Sequence, residues 1–396
     1  MSPQLHILQV YDTKPGQPHG GVDVVVQNLL TTMAEEHRSL LLRPAPWTQK
    51  KMRQTVERGV PVFSIPLPLP PGKWWNWKGW IIFLLHSVPA FLQLRRTLRL
   101  QNVDVIHLHT LQHYQVYFAI NRLFGGPPYL VTLHRAEVLA YPERTWATRW
   151  SWRMVLRRAG AINAVSDWLA ETARRNFPFL GTIATVQNGI DFPRGVRVDR
   201  ETLEKSLGMD LPERYCIAVG VLKPYKAHAL AIEAWAKLGA PAAGTPLLIV
   251  GDGELRPQLE ALIAKLEFSG QVRLLGSLSR DIVLDLMSHA AGVVMPSLSE
   301  GLPIVLLEAG ALQVPVICSD IGPFRELVED GVSGMVFEGG NSTALAAKVE
   351  QLLADPDRAC ELAEAYSARV QERFNLTKMG SSYIALYCQA MGSDLV

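Results

Sequence analysis

The sequence predicts an α/β chain of two Rossmann-like domains, on three observations. Short apolar runs alternate with longer helical or loop segments, the order that builds a parallel sheet with helices on both faces. That alternation lapses in a polar stretch near residue 200 and restarts at Tyr215. The 396 residues are too many for one ordinary core and fit two domains near about 200 residues each. A hydrophobic content of 48% with 19% charged residues excludes a disordered chain.

The first strand is expected at Leu5-His-Ile-Leu-Gln-Val10, with no charged leader or long apolar core that would mark a secretory signal. A loop with Gly20-Gly21 follows, then a helix-compatible run from Val22. Strand, glycine loop and helix make the first half of a Rossmann-like unit, and paired glycines let a ligand approach the backbone. The loop is not G-x-G-x-x-G, so a nicotinamide cofactor is not expected. Further apolar runs at 39–42, 62–65, 103–107, 129–133, 161–165 and 182–186 complete a parallel sheet. His107 and His109 close one run and read as packing residues. His134 directly follows another, where open parallel sheets present ligand-binding side chains. Glu137 is a weaker candidate beside it. Asn188-Gly189 is a turn signal, and the polar stretch after it reads as a linker.

In the second half Tyr215-Cys-Ile-Ala-Val-Gly220 restarts the pattern, with Lys223 and Lys226 in the loop before the next helix. Another strand runs into the glycine turn Gly251-Asp-Gly253. The central stretch is Ser297-Leu-Ser-Glu300-Gly301-Leu302-Pro303-Ile304, continuing to Glu308. An apolar run at 291–295 predicts a buried strand before it, and Pro303 suits the first position of a helix after it. Free N–H groups at that helix start suit an anion, and Glu300 and Glu308 could meet hydroxyls of an extended ligand. Two surface glutamates on a helix would give the same spacing.

The setting S-x-x-E-G-x-P-x-x-x-x-E-A resembles the signature of retaining glycosyltransferase family 4, whose GT-B fold sets two Rossmann-like domains facing a central cleft. The likeness is strong over 215–353, moderate in the first half and absent over about 66–100. It implies domains at 1–193 (acceptor-binding), 207–375 (nucleotide-sugar-binding) and a linker at 194–206, with 376–396 as a C-terminal helix packing back across the interface. It assigns His134, Lys226 and Glu300 to catalysis, Glu308 to the ribose, and Gly20, Gly21, Lys223, Gly251, Gly253, Gly301, Leu302, Pro303 and Ile304 to the donor. The chain departs from the family pattern at Val221, where an arginine is usual, and at Ala227, where a glycine is usual. The implied reaction moves a sugar from a UDP- or GDP-sugar to a hydroxyl of a glycan or lipid-linked glycan, as in cell-envelope or polysaccharide biosynthesis. It retains anomeric configuration and needs no metal and no cofactor. The alternatives are a non-hydrolysing epimerase of the same fold and a catalytically weak pseudoenzyme.

Charge is divided unevenly. Residues 1–180 carry 21 Lys+Arg against 10 Asp+Glu, whereas 181–396 carry 18 against 27, within a net charge of +2. Nine of the ten tryptophans, Trp47 to Trp168, also lie in the basic half. The apolar segment 79–94 is too short to span a bilayer but could lie at an interface, and Trp146, Trp150 and Trp152 recur among arginines. The expected location is therefore cytoplasmic, with peripheral contact to an anionic membrane on its inner face; the opposing reading makes the tryptophans core. No nucleic-acid motif accompanies the basic charge. Four dispersed cysteines fit free thiols.

Overall fold

The computed structural model of the protein describes residues 4–12, 20–46, 49, 52–69, 77–192, 198–238, 244–267 and 270–392. Much of the first glycine loop, Lys73 to Asn76 and part of the expected linker lie outside the described residues. By packing, the chain divides into two compact units. The first comprises Met1–Gln17, Val22–Gln187 and Leu376–Val396; the second comprises Pro18–Gly21 and Asn188–Asn375.

Among the described residues, the first unit holds strands β1 (His6–Val10), β2 (Arg38–Ala45), β3 (Arg53–Glu57), β4 (Val60–Pro66), β5 (Val105–His109), β6 (Tyr129–Leu133), β7 (Ala161–Ala164) and β8 (Ala184–Thr185). They form one sheet in the order β3-β4-β2-β1-β5-β6-β7-β8. Every residue of β5, β6 and β7 is buried, the state of a parallel strand covered on both faces. The expected all-parallel sheet has one exception, because β3 pairs with β4 antiparallel. Its sequence Arg-Gln-Thr-Val-Glu is exposed throughout and carries no apolar alternation.

The helices around this sheet are α1 (Gly21–Met33), α2 (Trp77–Leu100), α3 (Val116–Leu123), α4 (Ala136–Leu139), α5 (Trp146–Arg158) and α6 (Asp167–Asn176). Side-chain caps start two of them: Thr145 accepts the Thr148 amide and Ser166 the Leu169 amide. Trp152 is buried with Arg144 over its ring, whereas Trp146 and Trp150 are exposed. No described helix is long and apolar enough to cross a membrane.

The second unit contains β9 (Cys216–Val219), β10 (Leu247–Val250), β11 (Val272–Gly276), β12 (Gly292–Met295), β13 (Val316–Ser319) and β14 (Met335–Phe337). Its sheet is parallel throughout, in the order β11-β10-β9-β12-β13-β14. The helices are α7 (Arg200–Leu207), α8 (His228–Trp235), α9 (Arg256–Lys265), α10 (Arg280–Ser288), α11 (Ile304–Ala311), α12 (Gly322–Leu327), α13 (Ser342–Ala354) and α14 (Pro356–Arg373). Trp235, Leu247, Ile249, Val349 and Leu352 are among the residues that fill its core.

Two boundaries differ from expectation, and the start of the last helix does not. The stretch 194–206 is not simply a linker, because α7 begins at Arg200, capped by the Asp199 carboxylate and closed by left-handed Gly208. Asn188 to Asp191, expected to close the first domain, belong to the second unit: the Asn188 amide donates to the Leu302 carbonyl (3.3 Å) and the Ile190 N–H to the Phe374 carbonyl (2.7 Å). The last helix, α15 (Leu376–Met391), lies on β5, β6 and β7 and completes the first unit's core with Tyr383 and Tyr387.

Candidate functional site

The order of the second sheet reverses direction between β9 and β12, and open parallel sheets form ligand sites at the carboxyl ends of such neighbouring strands. The loop after β9 carries Lys223 and Lys226, and the loop after β12 carries Ser297 to Pro303. The two are joined by the Leu298 N–H donating to the Tyr225 carbonyl at 2.8 Å. Across this junction the Lys226 Nζ meets Glu300 Oε1 at 2.7 Å, with both side chains largely buried. Ser297 Oγ donates to the same carboxylate oxygen at 2.9 Å. Ser319 Oγ in turn donates to the Ser297 carbonyl, tying the loop to β13.

Glycines let these loops meet. A side chain at Gly251 would come within 2.0 Å of the Gly220 carbonyl oxygen, and one at Gly253 within 2.6 Å of the Leu222 carbonyl oxygen. Gly251 also has φ +140°, a conformation that favours glycine. Both expected donor glycines therefore serve the close backbone packing of these loops. The stem of Lys226 crosses Gly220, where an added Cβ would sit 3.1 Å from Cε. Ala227 stands next in the left-handed region at φ +50° and ψ 38°, where glycine would be unstrained.

Pro303 occupies the N-cap of α11, one residue earlier than expected, and Ile304 is the first helical residue. Gly301, Leu302, Pro303 and Ile304 are all buried. Glu308 is buried one turn further on and accepts from Arg280 Nε, at the start of α10, at 2.8 Å. Gly310 permits the fit of α11 against α14, since a Cβ there would lie 2.6 Å from Val370 Cγ2. Lys223 and Val221 are exposed, and with valine at position 221 no cation stands there. Gly20 and Gly21 group with the second unit, and a Cβ on Gly21 would lie an ordinary 3.8 Å from the Ile304 side chain.

Sequence reasoning missed Arg280 and His228. Neither sits in a spacing that announces a site; each is found only through the chain's folding. His228 opens α8 beside Lys226, and burial first, then the Lys226 charge, hold its pKa down to about 4 against an opposing pull from the Gly220 backbone. Among the described residues no group of His, Cys, Asp or Glu forms a metal cluster. The Asp355-Pro356-Asp357 sequence has Asp-x-Asp spacing, but the Asp355 carboxylate caps α14 by accepting the Arg358 amide at 3.0 Å.

His134 belongs to the first unit, just after β6, and burial lowers its pKa to about 4. Its own N–H donates to Glu137, so Glu137 is a buried brace for this turn and not a group presented to an acceptor. From its ring a hydrogen-bonded chain runs inward. His134 Nε2 faces His109 Nδ1 (3.4 Å), His109 Nε2 faces Gln9 Oε1 (2.9 Å), and Gln9 Nε2 donates to Tyr387 (3.2 Å). Tyr387 meets His107 Nδ1 (2.8 Å), His107 Nε2 meets Thr132 (2.6 Å), and Thr132 donates to Asn163 (2.7 Å). One hydrogen placement runs head to tail through all of these pairs and leaves His134 Nδ1 as an acceptor.

The chain matches two family models, "Glycosyl transferase 4-like domain" over residues 20–189 and "Glycosyl transferases group 1" over residues 199–373. It is 26% identical to alpha-D-kanosaminyltransferase of Streptomyces kanamyceticus over 92% of this chain and 98% of that protein. It is also 26% identical to N-acetyl-alpha-D-glucosaminyl L-malate synthase of Bacillus anthracis, over 74% and 77%. Among solved structures, sucrose-phosphate synthase of Thermosynechococcus elongatus superposes with a TM-score of 0.79 at 19% identity, covering 98% of this chain and 100% of that one. HepE of Anabaena, in complex with UDP and glucose, gives 0.75 at 19%, covering 96% and 99%. These likenesses show the GT-B fold.

Proposed function

We propose, from the premise that this chain belongs to the group 1 glycosyltransferases, that it transfers a sugar from a UDP- or GDP-sugar to a hydroxyl of a glycan or lipid-linked glycan. The reaction proceeds with retention and without a metal ion. The observation that carries this reading is the Lys226–Glu300 pair, at the switch point of the unit that matches the group 1 model. The HepE complexes with UDP and UDP-glucose support a uridine donor, and the relative named for a glucosaminyl L-malate product, malate being a hydroxy acid, supports a hydroxyl acceptor.

The chemistry follows from the groups present. Breaking the bond between the anomeric carbon and the diphosphate places negative charge on the departing oxygen. Lys226 and the dipole of α11 stabilise that charge, within a buried site where such stabilisation is strong. Glu300, once its lysine turns to phosphate, is left to accept from sugar hydroxyls, and Glu308 accepts from the ribose. His134 is assigned to the transferred sugar by family likeness and offers a neutral acceptor at Nδ1. The acceptor hydroxyl attacks from the side of the leaving group, and its proton passes to the departing phosphate. The basic first half and its tryptophans support work at the inner face of an anionic membrane, where a lipid-linked acceptor would reside.

A thermal-shift screen of nucleotide sugars tests the reading, because a ligand held only by the folded protein raises its melting temperature. A matching donor should raise it, and Lys226→Ala should weaken donor affinity by about 10- to 100-fold, the range of a charge-assisted phosphate contact. Glu308→Ala should weaken it less. Unchanged donor shifts in both variants would reject the pocket. Val221 favours a second reading, a donor-binding protein with weak transfer; a donor shift without transfer or donor hydrolysis over a wide acceptor panel would select it.

A further inference from the structure

We infer that the outward face of α2 is a docking surface for a bilayer containing anionic lipid, which gives the proposed membrane contact a specific place in the fold. Ile81, Leu84, Leu85, Val88 and Leu92 leave 48–66% of their surface in solvent. Their spacing at i, i+3, i+4, i+7 and i+11 puts them on one stripe of the helix. Arg96 and Arg99, both exposed, continue the same stripe, and exposed Lys78 precedes it. The helix contains no Asp or Glu. An apolar stripe ended by cations is the pattern of a helix lying in the headgroup layer, its apolar side chains sunk below and its charges at phosphate level.

The surroundings extend this chemistry. On the same side of the sheet α2 packs on α3, and α3 on α5. Exposed Phe124, at the end of α3, contacts Phe91 of α2, and the Arg95 guanidinium lies over both rings. The outer face of α5 presents Trp146 and Trp150 with Arg149 and Arg153 between and after them. Tryptophan and arginine together suit the boundary between acyl chains and water. The charges also argue against a second copy of the chain. Antiparallel pairing of two α2 stripes would bring Arg96 and Arg99 toward Lys78 of the other helix, with no carboxylate on either helix to offset them.

Flotation of the full chain with phosphatidylcholine vesicles, with and without phosphatidylglycerol, provides the test. The wild type should float with the phosphatidylglycerol vesicles at low salt and less so at high salt, as screening predicts. The double variant Leu85→Glu/Val88→Glu should lose at least about tenfold in partitioning, because it removes apolar insertion and adds repulsion. Arg96→Glu/Arg99→Glu should remove the preference for the anionic vesicles. The inference is overturned if the wild type fails to float at low salt, or if the glutamate variant floats equally well. It is also overturned if sedimentation shows a wild-type dimer that the glutamate variant dissociates. The donor thermal shift is recorded in parallel for every variant. A preserved shift shows intact folding and separates failure of docking from failure of the transferase reading.

Discussion

Tyr387 shows how one side chain near the end of the sequence can govern another that follows an early strand. Its hydroxyl accepts from Gln9 and meets His107, within the chain of groups that ends at His134. Removing it in Tyr387→Phe leaves two buried polar atoms unpaired while sparing nearly all the ring's packing. The expected cost is about 1–3 kcal/mol, read from urea unfolding; an unchanged midpoint would show that the chain of polar groups adds nothing to stability. The placement of individual candidate residues was legible where a local rule applied. His134 follows a strand, and Lys226 and Glu300 sit in loops after strands. Their partners were not legible, because Arg280, Gln9 and Tyr387 meet their targets only through the topology. Glu137 misled for the opposite reason: a carboxylate three residues past a candidate histidine looks available until its bond to the backbone is seen.

At the scale of elements, the strand before Glu300 and the helix after Pro303 were readable because an apolar run and a proline are strong signals. β3 was not, since a wholly exposed strand lacks the alternation that betrays one face, and α7 was hidden by its polar composition despite Asp199 and Gly208 at its ends. The start of α8 carries a cost of its own. Ala227 holds a left-handed conformation that disfavours a Cβ by roughly 1–2 kcal/mol, and glycine in its place would lose about 0.5–1 kcal/mol through greater freedom when unfolded. Ala227→Gly should therefore stabilise the protein by up to about 1 kcal/mol, visible as a higher melting temperature without ligand. A lower one would mean that the alanine methyl makes packing worth more than the strain.

Across the whole molecule, buried neutral histidines make acid the expected weakness. His107, His109 and His134 in the first unit and His228 in the second all have pKa values lowered by burial, the last two to about 4. Unfolded histidine titrates near about 6.5, so the unfolded chain binds more protons at pH values between those limits. For His134 and His228 this contribution is complete above about pH 6.5 and is lost as pH falls toward 4, and His107 and His109 act in the same direction. Glu137, raised by burial, works the other way, as a single acid against four histidines. Urea midpoints at about pH 7.5 and about pH 5 should differ, with the lower value at the lower pH; equal midpoints would contradict the burial of these rings. The division into two α/β halves was evident from the restart at Tyr215, but its seam was not, because Asn188 and Ile190 bond forward to Leu302 and Phe374. That seam makes the second half almost a cassette. The backbone bond from Ile190 to Phe374 brings residues 188 and 375 to one doorway, so most of a sheet and its loops enter and leave the chain there. A recombination event cutting at that doorway would exchange nearly all of one half between related chains while leaving α15, and the interior it completes, with the original owner.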